Sequence, residues 1–238
     1  MKIALIGYGK MGKTIERLAR TQGHDIVLII DKDNSQDLVP ESLRRADVAI
    51  EFSQPESALE NIKHCLEAGV PVIVGTTGWL EQLDEAKAFC QSKGGAMIQA
   101  TNFSIGVNLF FALNLYLSKM MDKQLQYDVK IEETHHTQKL DTPSGTALTL
   151  ANDIIAQVKR KTKWVNYDAN ITDELPIISK RIDPAPGTHE VVYYSMIDTI
   201  KISHEAHSRD GFALGALKAA EWIIGKHGFF TMQEVLGF

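Results

Sequence analysis

Cysteine is almost missing from this chain. Cys65 and Cys90 are the two in 238 residues, both inside segments with helical spacing, so there is no disulfide framework and a reducing, cytoplasmic setting fits. Long apolar runs are missing as well. None approaches the roughly 18 residues of a membrane span. The opening MKIALIGYGK has one lysine and a short apolar run before its glycines, too little for a secretory signal core. Positive charge is not in excess: 25 Lys and Arg face 30 Asp and Glu, a net charge of −5. Electrostatics therefore give no reason to expect nucleic acid or a membrane as partner. Internal repeats and low-complexity tracts are absent too. What remains is an ordinary composition, 44% apolar and 23% charged, which can bury a core and excludes a disordered or fibrous chain. The length allows one large domain or two small ones.

The first half alternates strand and helix. Apolar runs predict strands at 3–6, 24–31, 47–52, 70–74 and 96–101. Helical spacing predicts helices at 11–20, 55–68 and 80–92, with Gly23 and Gly69 as stops. Near-continuous apolar strands separated by helices imply a parallel sheet covered on both faces, an α/β fold. The character changes near Asn102. A long apolar helix at 105–121 is followed by a strand at 125–134 and a helix at 147–158. The polar stretch 159–187, with Pro176, Pro184 and Pro186, reads as irregular and loop-rich. Paired antiparallel strands at 190–196 and 199–204 and a final amphipathic helix at 212–224 complete an α+β second half with a mixed sheet.

Gly7-Tyr8-Gly9-Lys10-Met11-Gly12 fits G-x-G-x-x-G, following a strand and opening a helix. That context makes a Rossmann-like dinucleotide-binding domain. The first glycine allows the tight turn, the second lets the backbone approach a pyrophosphate, and the third lets helix and strand pack closely. Asp31 closes the second strand about 20 residues further on, where a carboxylate accepts hydrogen bonds from the adenosine ribose. Asp31 repels a 2′-phosphate and Lys32 attracts one, so NADH and NADPH both remain open. Gly75-Thr76-Thr77-Gly78 ends a later strand, at the sheet edge where a nicotinamide would lie. By itself the tetrapeptide is equally a plain turn.

The densest chemistry runs from Glu132 to Ala147 and holds His135, His136, Lys139 and Pro143-Ser144-Gly145-Thr146. Neighbours on a strand point to opposite faces, so His135 and His136 do not chelate one ion, and no metal site is expected. Ser144 is a good N-cap for the helix that follows, and the first-turn N–H groups of Gly145 and Thr146 suit a substrate carboxylate. A histidine titrating near neutrality beside Lys139 makes an acid/base pair. On spacing alone, a capped helix with incidental histidines fits as well.

The run His135-His136-Thr137-Gln138-Lys139-Leu140-Asp141-Thr142-Pro143-Ser144-Gly145-Thr146-Ala147 resembles the signature of the dihydrodipicolinate reductase family. The glycine motif, Gly75 to Gly78, Ala100-Thr101-Asn102-Phe103 and the tail from Thr188 to Ala216 are similar too, so the resemblance spans nearly the whole chain. It implies reduction of a cyclic unsaturated dicarboxylate by NADH or NADPH, on the route to lysine and diaminopimelate. His135 would act in acid/base catalysis and Lys139 as proton donor. His136, Ser144, Gly145 and Thr146 would hold the substrate. Gly75 and Thr77, with Ala100, Thr101, Asn102 and Phe103, would line the nicotinamide side. The resemblance further implies a dinucleotide-binding domain of residues 1–102 and 209–238 and an inserted substrate and tetramerisation domain of residues 103–208. Domain closure would exclude water.

Many members carry Arg inside the glycine motif and in the His-His segment, where this chain has Lys10 and Gln138; the chain is also short for the family. Two other readings compete: another two-domain dehydrogenase of amino-acid metabolism, and a catalytically silent nucleotide sensor. The His-His-Lys and Pro-Ser-Gly-Thr run argues against the first, and intact His135 and Lys139 against the second.

Overall fold

The computed structural model describes residues 1–168 and 171–238. It divides into two compact units, Met1–Ile105 with Arg209–Phe238, and Gly106–Ser208. Elements are numbered in chain order.

The first unit carries β1 (Lys2–Ile6), α1 (Lys10–Thr21), β2 (Asp25–Ile30), α2 (Pro40–Leu43), β3 (Val48–Glu51), α3 (Pro55–Glu67), β4 (Val72–Val74), α4 (Leu83–Ser92) and β5 (Ala96–Gln99). After the second unit it resumes with α7 (Asp210–Ile223), β11 (Gly228–Phe230) and α8 (Met232–Leu236). Its six strands lie in the order β11-β5-β4-β3-β1-β2, and every pairing is parallel. The sheet is covered on both faces, as continuous apolar strands require. Ile3, Leu5, Ile50, Ile73 and Ile98 pack with Ile15 and Ala19 of α1 and with the alanines of α7. Their strand neighbours Ala4, Ile6, Ala49, Val72 and Met97 pack with Leu59, Ile62 and Cys65 of α3 and Cys90 of α4. Both cysteines are free and buried, and burial pushes the Cys65 thiol well above its ordinary value. Alanines bring α7 close to the sheet, and at Gly215 a Cβ would overlap the Phe103 carbonyl.

The second unit carries α5 (Ile105–Met121), β6 (Asp128–His135), α6 (Gly145–Gln157), β7 (Lys163–Val165), β8 (Glu174–Arg181), β9 (Thr188–Tyr194) and β10 (Thr199–Glu205). Its sheet is mixed, in the order β10-β9-β6-β8-β7. β9 is antiparallel to β6 and β10, while β8 is parallel to β6 and β7. Burial alternates strictly along β6: Val129, Ile131, Glu133 and His135 are buried, with partly exposed residues between them. The apolar members join Leu150, Ala151 and Ile154 of α6 in one core.

Two expectations are corrected. The stretch 159–187 is not loop-rich throughout, because it contains β7 and the eight-residue β8, whose Leu175 and Ile177 are fully buried. Pro176 argues against a strand in sequence, since proline cannot donate to a ladder. In the structure, β8 pairs with β7 at Glu174–Pro176 and with β6 only from Ile177 onward, so the proline sits where the strand changes partner. Nor is α7 the last element. β11 adds a sixth parallel strand beyond it, three residues too short to leave a periodic signal. Among the described residues no helix is long and apolar enough to cross a membrane.

Candidate active site

In the first unit, a cleft of about 950 Å³ opens where β1, β2, β3 and β4 end, the end at which open parallel sheets bind ligands. Gly7, Tyr8, Gly9, Lys10, Met11, Asp31, Lys32, Gly75, Thr76 and Thr77 all line it. Gly7 has φ +92°, and a Cβ there would overlap the Phe52 carbonyl, so both its conformation and its packing demand glycine. Gly12 lies behind the cleft, where a Cβ would overlap the Gly7 carbonyl. Gly9 is different. Nothing lies within 4 Å of its missing Cβ, and it caps α1 without a side-chain bond. Open space beside an uncapped helix N-terminus fits a diphosphate. The Tyr8 hydroxyl donates to Glu16, which also pairs with Arg20 at 2.8 Å. Asp31 is exposed. One carboxylate oxygen accepts the Lys32 N–H at 2.9 Å, and the Asp31 N–H donates to the Asn34 side chain at 2.7 Å.

Thr76 is buried. Its hydroxyl accepts the Ser53 N–H at 2.8 Å and its carbonyl accepts the Trp79 indole N–H at 2.8 Å, so its side chain braces the loop and Thr77 is the exposed member. An adjoining recess of about 230 Å³ shares Met11, Phe52 and Gly75 with the cleft. It adds Thr101, Asn102, Phe103, Arg209 and Phe212. Ala100, the residue after β5, lines neither; its N–H donates to the Val74 carbonyl at 3.2 Å. Arg209 carries a charge into the recess that sequence reasoning missed.

Glu51, the last residue of β3, is fully buried behind this cleft. Its Oε1 accepts from Ser53 N at 3.1 Å, from the Ser53 hydroxyl and from Asn61 Nδ2 at 3.3 Å. Its Oε2 is buried with no hydrogen-bond partner among the described residues. Burial raises its carboxyl above the ordinary value, against those hydrogen bonds. The folded state therefore favours the protonated acid and loses stability as pH rises above the ordinary carboxylate range. Glu51→Gln, the neutral isostere, is expected to melt higher than wild type at pH 8 and level with it near pH 4. Each kcal/mol gained counts about 2–4 °C in a chain this size. Scanning calorimetry at the two pH values checks this.

In the second unit, a separate cluster forms around the Glu133 carboxylate, whose side chain is 0% exposed. Both its oxygens lie 3.2 Å from the Ser144 N–H. Arg181 approaches Oε1 at 3.4 Å, while His135 Nδ1 and His189 Nε2 approach Oε2 at 3.5 and 3.6 Å. The two imidazoles meet edge to face with centroids 4.9 Å apart. Ser144 Oγ accepts the Ala147 N–H at 3.2 Å, capping α6, and lies 3.0 Å from His189 Nε2. The loop from His136 to Pro143 is tied down twice. Thr137 donates from N and Oγ1 to Asp183 at 3.1 and 2.6 Å. Arg181 donates to the Asp141 carbonyl at 2.8 Å and to the Thr142 hydroxyl at 2.6 Å. Lys139 forms an ion pair with Asp141 at 2.8 Å, His136 is partly exposed, and Gly145 is exposed at the start of α6 with Thr146 half-buried after it.

Burial opposes the Glu133 charge, but the His189 and Ser144 contacts outweigh it and hold the carboxyl well below the usual range. His135 is pushed down to about 4, by burial first and then by the charges of His189, Lys139 and Arg181, with Glu133 pulling the other way. The expectation of a histidine titrating near neutrality is thus corrected: at neutral pH His135 is an uncharged imidazole. The ligand atoms of Glu133, His135 and His189 lie within 4.8 Å of one another, near enough to hold a cation. The guanidinium of Arg181 already stands against that carboxylate and opposes one. Buried donors, a helix start and nearby cations suit a carboxylate ligand instead. Sequence reasoning missed Glu133, Arg181 and His189. Glu133 had a signal, an acid on the same strand face as Ile131 and His135. His189 lies in the tail from Thr188 to Ala216 that resembles the family, with nothing to point it at this cluster, and Arg181 had no signal.

The family model described as "Dihydrodipicolinate reductase, N-terminus" matches residues 1–103, and "Dihydrodipicolinate reductase, C-terminus" matches residues 106–236. The chain is 49% identical to the 4-hydroxy-tetrahydrodipicolinate reductase of Christiangramia forsetii, over 99% of this chain and 98% of the relative. It is 36% identical to that of Staphylococcus saprophyticus, over 99% and 100%. The dipicolinate-bound dihydrodipicolinate reductase from Paenisporosarcina sp. TG-14 shares the fold, with TM-score 0.78 at 24% identity over 98% of both chains. With both family models matched and a full-length relative at 49% identity, the chain belongs to the dihydrodipicolinate reductase family.

Proposed function

We propose that this chain is a 4-hydroxy-tetrahydrodipicolinate reductase. It reduces 4-hydroxy-tetrahydrodipicolinate to tetrahydrodipicolinate with NADH or NADPH, the 4-hydroxyl leaving as water, in lysine and diaminopimelate biosynthesis. The full-length match to a curated reductase at 49% identity carries this reading.

The first unit fits the dinucleotide: Gly9 leaves open space at the start of α1, and Asp31 and Lys32 stand at the ribose end of the cleft. Gly7, Gly9, Lys10 and Met11 would hold the diphosphate side. Gly75, Thr77, Thr101, Asn102 and Phe103 would line the nicotinamide side. When bound, the cofactor supplies a hydride. The rest is work for the second unit. Ser144, Gly145 and Thr146 hold one substrate carboxylate and His136 contacts the substrate, while Lys139 Nζ delivers the proton that balances the hydride. Neutral His135 serves as acceptor and polarising group beside it. The Paenisporosarcina relative, a dipicolinate-bound dihydrodipicolinate reductase, supports a planar dicarboxylate as ligand. We further infer a cytoplasmic homotetramer. The charged sheet face opposite α6, with Glu132 bridged to Lys130 and Lys180 at 2.8 Å, is where copies would pair.

The test is a coupled assay in which the preceding synthase makes the unstable substrate in place from pyruvate and aspartate semialdehyde. Substrate-dependent oxidation of NADH or NADPH supports the reading. A folded protein that binds dinucleotide yet oxidises neither overturns it. Asp31→Ala is expected to weaken NADH about tenfold and NADPH less, because a ribose acceptor is lost but so is repulsion of the 2′-phosphate. Equal weakening in fluorescence titrations would remove the ribose role of Asp31.

A further inference from the structure

We propose that Glu133 is the positioning residue of the substrate cradle: its buried carboxylate locks the start of α6 to the end of β6, so that Ser144 and His135 face the substrate in one fixed arrangement. This rests on the reading that the segment from His135 to Thr146 binds a dicarboxylate.

Glu133 has no oxygen exposed to a ligand, so it acts only through its neighbours. Those neighbours come from separate parts of the second unit. Ser144 caps α6, His135 ends β6, Arg181 ends β8 and His189 lies on β9. The carboxylate thereby ties four segments together with contacts of 3.2 to 3.6 Å. Folding alone does not ask for it. The position continues the buried row Val129 and Ile131, where an apolar side chain would avoid the cost of burying an ion. The α6 cap likewise needs only Ser144 Oγ on the Ala147 N–H.

The sign of the charge is the second indication. An anion beside a dianion site repels the ligand, so electrostatics alone disfavour Glu133 there. Arg181 offsets this charge and in the same contact fixes the loop through the Asp141 carbonyl and the Thr142 hydroxyl. Gly187 completes the arrangement. A Cβ there would come within 3.1 Å of His135 Nε2, so glycine keeps that edge of the imidazole clear. With Nδ1 facing Glu133, the edge left clear carries Nε2.

The two effects of the charge predict opposite results, which makes the test sharp. In the full-length enzyme, Glu133→Gln removes repulsion and keeps size. A role limited to charge would leave pyridine-2,6-dicarboxylate binding equal or tighter. A positioning role weakens it at least tenfold, lowers kcat/KM by a similar factor and leaves the NADH Kd within twofold. Nitrogen NMR should also show a changed tautomer balance in the His135 imidazole. Glu133→Asp, with the charge kept but the reach shortened, should not restore binding. Equal or tighter dicarboxylate binding by Glu133→Gln, with His135 signals unchanged, overturns the proposal. Should Glu133→Gln fail to fold, Arg181→Gln loosens the same carboxylate. It should alter the His135 tautomer balance; an unchanged balance overturns the proposal. If the wild type neither turns over substrate nor binds the dicarboxylate, the functional reading falls and the proposal with it.

Discussion

Lys139→Ala is expected to lower kcat by about two orders of magnitude or more, while the NADH Kd stays within twofold. General acid catalysis by a positioned side chain contributes about 10²–10⁴-fold, and Lys139 belongs to a different unit from the dinucleotide cleft. The burden falls on Lys139 because His135 is unsuited to it. With its pKa pushed down to about 4, His135 carries almost no proton to give at neutral pH in the free enzyme. A dianionic ligand would draw that value upward, so His135→Ala should also lower turnover, with a loss that depends on pH. Lys139 is held 2.8 Å from Asp141, partly exposed at the rim of the cluster. Steady-state kinetics with NADH titrations on both variants decide the matter. Near-normal turnover in Lys139→Ala would remove it as the proton donor.

The first unit was legible in sequence because its signals are local. Strands buried on both faces are written as apolar runs such as Val72–Val74, and the glycine motif is contiguous with the strand and helix it joins. The cleft residues followed from that order. The second unit was less legible because its decisive contacts are not local. Ser144 could be read as a cap from its neighbours, but Glu133, Arg181 and His189 meet only after β8 and β9 have flanked β6. β8 itself was hidden by Pro176 and by the polar residues Ser179, Lys180 and Arg181, the last of which is needed by the cluster rather than by the strand. The error about His135 has the same origin. Its spacing to Lys139 is visible in sequence, whereas the burial and the opposing charges that lower its pKa belong to the folded sheet. Thr76 shows the converse: it lines the cleft, yet its side chain is consumed in bracing Ser53.

Two glycines of one motif should fail in different ways. At Gly12 a methyl group would overlap the Gly7 carbonyl, and neither partner can rotate away because both are backbone. Gly12→Ala must therefore push α1 off β1, where Ile15 and Ala19 share the core with Ile3 and Leu5. Overpacking of this kind costs about 1–3 kcal/mol or more, so a drop of several degrees in melting temperature is expected together with loss of dinucleotide binding. At Gly9 the same methyl group meets nothing within 4 Å. Gly9→Ala should fold and melt like wild type, yet it places a methyl group where a diphosphate must approach the first turn of α1. An NADH Kd weakened at least tenfold, about 1.4 kcal/mol, with an unchanged melting temperature, is the expected result. Calorimetry and NADH titration on the pair separate the two roles. If Gly9→Ala bound NADH as tightly as wild type, the diphosphate would not lie against this turn. If Gly12→Ala kept its stability, the close approach of α1 to the Gly7 turn would not be what requires glycine there.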